Sequence, residues 1–132
     1  MDEIDASEGA IFYATGVFYY FKTEEVKALF CRLAERFSVA ALVFDACNRR
    51  GAKMMTKTWL KEAGISNVGA FFSLEDVATL EGWSGNFKKV SSKSYMRGYR
   101  DIYKAVSFLY KLMIHFCDRL VKMIIVKIEF KG

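Results

Sequence analysis

A chain of 132 residues is the length of one ordinary domain, enough to bury roughly two-thirds of its unfolded surface. It is 53% apolar and 16% aromatic, a core-rich composition that is one sign of an apolar face needing a partner. The net charge is +5, but the basic residues are spread from Lys22 to Lys131 without a dense block, which speaks against the concentrated basic face of a nucleic-acid binder.

The first element is Ala10 to Ala14, a run of strand formers that breaks at Gly16. The aromatic stretch Val17 to Phe21 follows, each ring hiding on the order of 150–250 Å2 when buried. It reads as a buried parallel strand opening into a pocket, and Thr15 and Gly16 stand where ligands bind in open α/β sheets. Thr23 is expected to cap a helix with Glu24 and Glu25 in its first turn. Its apolar stripe is Val26, Leu29, Phe30, Leu33, Ala34 and Phe37.

Val39 to Ala46 is a continuous apolar run without alternation, as for a strand covered by helices on both faces. Strand, helix and strand form a βαβ unit, so the fold class is α/β. Arg49, Arg50 and Lys53 read as a solvated loop and helix start, with phosphate binding as the alternative role. A second helix is predicted over Ala52 to Ala63, with Met55, Trp59 and Ala63 as packing positions and Gly64 as its stop. Ser73 and Asp76 suggest a capping box for a short helix from Leu74 to about Leu80.

Phe87 to Tyr95 is strand-like but polar, which suits a sheet edge. After Gly98, Asp101 is expected to cap one long helix to about Val121 with a broad apolar face. Met123 to Phe130 is the last strand.

Cys31, Cys47 and Cys117 are too widely spaced for a zinc site, and an odd number argues against a disulfide framework. Cys31 and Cys117 are read as buried thiols. The acidic opening MDEIDASEG lacks an apolar leader region, and the run Ala105 to Cys117 is too short to span a bilayer. A cytoplasmic protein with no membrane or nucleic-acid partner and no metal is expected.

TGVFYYF followed by an EEVKALF helix, then FDACNRRG, KSYMRGYR and a terminal IVKIEF resemble the C-terminal half of the leucine carboxyl methyltransferase family, in particular bacterial O-methyltransferases similar to the tetracenomycin polyketide-synthesis enzymes. The likeness covers nearly all of this chain but only the later part of the family's. It implies a partial class I methyltransferase, Rossmann-like sheet across residues 1–132, with strands four to seven and their flanking helices. The first three strands are missing. The full order implied is 3-2-1-4-5-7-6, with the last strand antiparallel.

The resemblance implies S-adenosylmethionine as cofactor and a small-molecule hydroxyl or carboxyl group as methyl acceptor. The Gly-rich turn and the ribose-gripping acid that hold the cofactor have no counterpart here; the chain contains no G-x-G. Where the family commonly reads A-E-G, this chain reads Ala14, Thr15, Gly16, so Thr15 supplies a hydroxyl and no carboxylate. Thr15 and Gly16 remain the cofactor-side residues. Asp45 stands where a general base would, with a turn-capping carboxylate as the alternative role. Tyr19 and Tyr20 line the acceptor pocket or pack in the core, and Asn48, Tyr99 and Arg100 stand near strand ends. His115, the sole histidine, is read as structural.

Two expectations compete: a methyltransferase half that is inactive alone and completed by an N-terminal half, and a non-enzymatic remnant that self-associates through the bare Ala10 to Ala14 edge.

Overall fold

The computed structural model describes residues 7–64, 72–95 and 100–131. Four strands make one mixed sheet: β1 (Ala10–Ala14), β2 (Ala40–Ala46), β3 (Phe87–Ser94) and β4 (Ile124–Phe130). Their order is β1-β2-β4-β3. β1 is parallel to β2, whereas β4 is antiparallel to both of its neighbours. The chain is α/β, and β1 and β3 are the two edges.

Register explains which residues are buried. Phe12 lies opposite Leu42, Leu42 opposite Ile128, and Ile128 opposite Val90, so one apolar row crosses the whole sheet. This face is covered by α1 (Thr23–Arg36), whose Val26, Phe30, Leu33 and Ala34 are buried. Phe18, Phe30 and Phe44 meet with ring centroids 4.9–5.5 Å apart, tilted or edge-on, and each such contact adds about 0.5–1.5 kcal/mol beyond its buried area.

The opposite face departs from the expectation of cover on both sides. Tyr13 lies opposite Val43, and Val43 opposite Lys127. Ile11 is 80% and Tyr13 74% exposed, and Lys127 pairs with Glu129 at 2.7 Å on the strand surface. A charged pair in alternation with apolar residues marks a solvated face. The continuous apolar run in β2 reflects its interior place in the sheet, not two helical layers.

Helix boundaries also shift. Thr23 is the first residue of α1 rather than its cap; Lys22 takes the cap position, and its N–H donates to the Glu25 carboxylate at 2.8 Å. α2 spans Arg49–Glu62, three residues earlier than expected, because Asn48 begins it. α3 is only Ala78–Glu81, and Asp76, not Ser73, accepts from the Ala78 N–H at 3.0 Å. The single long helix expected from Asp101 is two, α4 (Arg100–Ala105) and α5 (Phe108–Leu120). Ser107 interrupts it with an extended backbone (φ −65°, ψ 162°), a conformation that serine favours at a helix start.

The broad apolar face expected of that helix is present but largely uncovered: none of the described side chains of α5 is fully buried, although Cys117 and Leu120 pack against a buried cluster. Cys47 is buried, whereas Cys31 and Cys117 are half-buried. Among the described residues, no helix is long and apolar enough to cross a membrane.

Candidate functional site

The carboxyl ends of β1 and β2 lie side by side because the strands are parallel and in register, with Ala14 opposite Phe44. After β1 the chain turns at Gly16, whose φ of +67° lies in the region that favours glycine. A single 3₁₀ turn, Phe18–Tyr20, follows and buries Phe18 and Tyr19. β2 delivers Asp45, Cys47 and Asn48 to the same end.

Asp45 ties these two strand ends together. One carboxylate oxygen accepts the Gly16 N–H at 2.7 Å and the other accepts the Tyr19 hydroxyl at 3.0 Å. Asp45 is 6% exposed, and each of its oxygens has an internal partner. A base must be within reach of a substrate proton; here the reach is already taken up by the turn. The turn-capping role is the one the geometry favours.

Tyr19 is held as a proton donor. Burial, followed by the neighbouring Cys47 and the Asp45 carboxylate, raises its phenol far above the ordinary range. Burial likewise pushes the Cys47 thiol up to about 11, against a lowering by its hydrogen bond with Tyr19. At neutral pH Cys47 is therefore a thiol and a poor nucleophile.

Asn48 is also fully used. Its Oδ1 accepts the Gly51 N–H at 2.9 Å and its carbonyl accepts the Ala52 N–H, which makes it the N-cap of α2. Its Nδ2 donates to the Leu120 carbonyl at 2.9 Å, locking the end of α5 to the end of β2. The Glu75 carboxylate adds a bond to the Arg49 N–H at 2.8 Å. Asparagine directly before a helical segment is a cap signal that was available in the sequence; the long-range Glu75 contact left none.

The remaining expected residues are divided. Thr15 and Tyr20 are exposed at the strand end, and a Cβ added at Gly16 would meet no atom within 4 Å, so a ligand can approach this turn. Arg100 is the first residue of α4, and Tyr99 lies outside the described residues. The structure thus brings Gly16, Tyr19 and Asp45 into one hydrogen-bonded group with Thr15 and Tyr20 on its surface. No group of His, Cys, Asp or Glu able to hold a metal occurs among the described residues.

An apolar hollow of about 350 Å3 lies beside this end, along the outer flank of β1, lined by Phe12, Ala14, Phe18, Leu29, Leu33 and Leu42 among others. No protein-family model matches the chain, and no curated protein matches it.

Proposed function

We propose that this chain is the C-terminal portion of an S-adenosylmethionine-dependent O-methyltransferase acting on a small-molecule acceptor, and that it is inactive alone. The observation that carries the reading is the strand order β1-β2-β4-β3 with a reversed β4. That is the order 4-5-7-6 of a class I methyltransferase sheet, ending at the strand where the first strand would pair.

In this reading Thr15 and Gly16 form one wall of the cofactor site, and Asp45 with Tyr19 holds the wall in place. The cofactor would supply the methyl group to an acceptor near the exposed Tyr20. The residues present do not suffice to bind it: the Gly-rich turn is missing, and the buried Asp45 carboxylate at this end is occupied by Gly16 and Tyr19.

The decisive experiment is to read the coding frame upstream of Met1 and titrate S-adenosylmethionine calorimetrically into both the extended protein and this chain. An upstream Gly-rich strand–helix unit is expected, with micromolar binding by the extended protein and none by the 132 residues. An upstream frame without that unit, or an extended protein that ignores the cofactor, overturns the reading.

A second reading, a non-enzymatic half-domain that self-associates, is favoured by one observation: among the described residues β1 is an unguarded edge. The Ala10 N–H donates to Val39 across the β1–β2 ladder. By alternation, the backbone groups of Ile11 and Tyr13 point away from the sheet. An antiparallel second copy centred on Phe12 would pair Ile11 with Tyr13 on each side without opposing charges. Light scattering of the wild type and of Tyr13→Lys tests it: a dimer that the lysine dissolves supports the reading, and a monomeric wild type refutes it.

A further inference from the structure

α5 packs Cys117 and Leu120 against the Tyr19–Cys47–Val121 cluster, but leaves its largest apolar side chains where nothing described covers them. Phe108, Leu112 and Phe116 recur every four residues along one face and are 81%, 57% and 64% exposed. Leu109 and Met113 widen the same stripe and are also exposed. The row beside it, three residues on, is Lys111, His115 and Arg119, adjacent on the helix surface. Lys104 and Lys122, both exposed, stand beyond its two ends.

By sequence, the net positive charge falls in the stretch that contains this helix. Residues 93–122 contain seven Lys and Arg against two Asp, while the other 102 residues balance at thirteen against thirteen. Within that stretch α5 itself carries Lys111 and Arg119 against Asp118, with Lys104 and Lys122 beyond its ends.

We propose that α5 docks on an anionic lipid bilayer surface, lying in the interface with the Phe108–Leu112–Phe116 face immersed among the acyl chains. Thirteen residues of helix give about 20 Å of contact at 1.5 Å per residue. The apolar side chains enter below the headgroups, and the flanking Lys and Arg extend to the phosphates while their stems cover apolar surface. This occupant answers both features of the patch, its protruding apolar stripe and the row Lys111, His115 and Arg119 beside it; the acid on this helix, Asp118, accepts the Ser94 hydroxyl. A second copy of α5 would bring the two basic rows together, with like charges opposed. The cavity beneath the helix, about 200 Å3, is smaller than an ordinary small-molecule site. The proposal does not depend on the methyltransferase reading, since the stripe lies on a helix between β3 and β4 and uses no residue of the β1–β2 end.

The test is co-sedimentation of the 132-residue chain with vesicles of pure phosphatidylcholine and of phosphatidylcholine containing about 30% phosphatidylserine. Binding to the anionic vesicles is expected, falling with added salt, and each of Lys111→Gln and Arg119→Gln should weaken it roughly fivefold. Leu112→Glu with Phe116→Glu should abolish it while far-UV circular dichroism and the urea midpoint stay unchanged, because both positions are exposed. The proposal is overturned by equal binding to both vesicle types or by no binding to either. It is equally overturned by anionic binding that survives the double glutamate variant, or by a protein oligomer that the variant dissolves while vesicles are ignored.

Discussion

Asp45→Ala separates a structural carboxylate from a catalytic one. The substitution removes an acceptor of the Gly16 N–H at 2.7 Å and of the buried Tyr19 hydroxyl at 3.0 Å. Hydrogen bonds to a charged acceptor contribute about 1.5–3 kcal/mol each, and a buried donor left without a partner loses a desolvation term of about 1–3 kcal/mol. The two bonds share one side chain and are not additive, so a loss of about 3–4 kcal/mol is expected. Tyr19→Phe removes only the second bond and should cost about 1–2 kcal/mol. Urea unfolding followed by tryptophan fluorescence measures both, and the double variant should fall well short of the sum of the singles because the Tyr19–Asp45 bond is counted in each. An Asp45→Ala protein within about 0.5 kcal/mol of wild type would show that the carboxylate does not hold the turn.

Three further outcomes follow from the same end of the molecule. Gly51→Ala should cost about 1–3 kcal/mol by urea unfolding, because the added Cβ would stand 2.9 Å from Cys47 Sγ and against the Val121 side chain. Lys122 has a φ of +45°, so Lys122→Gly should raise stability by up to about 1 kcal/mol, read as a higher thermal midpoint. Cys47 rises from 9.0 to about 11 on folding; a group raised in the folded state favours folding below its unfolded value and ceases to as pH climbs through the folded one. Stability should therefore fall between about pH 9 and 11 by up to ~3 kcal/mol, a fall that Cys47→Ala reduces, and Cys47 should resist alkylation until the protein is unfolded.

The elements that could be read from sequence are those whose signal is local. α1 announces itself by carboxylates in its first turn and an apolar stripe at helical spacing, and β3 by lysines that suit an edge. The α4–α5 break was hidden because apolar periodicity runs straight through Ser107; only the backbone at that residue interrupts it. Exposure of α5 was equally hidden, since periodicity shows that a face is apolar and not that anything covers it. At the candidate site, residue type placed Asp45 and Asn48 at the correct strand end. Apart from the local cap that Asn48 makes with Gly51, it could not show that their polar atoms were already engaged, because those partners lie 26 to 72 residues away.

The two edges of the sheet are unlike in a way that limits how the molecule can grow. β3 ends the sheet with Lys88, Lys89 and Lys93 and a register shift between Phe87 and Lys89, features that repel a further strand. β1 has neither charge nor bulge. Among the described residues each molecule therefore offers one site for strand addition, and a particle with a single such site stops at a pair. Filaments need two, so copies of this chain that join through β1 stop at a pair.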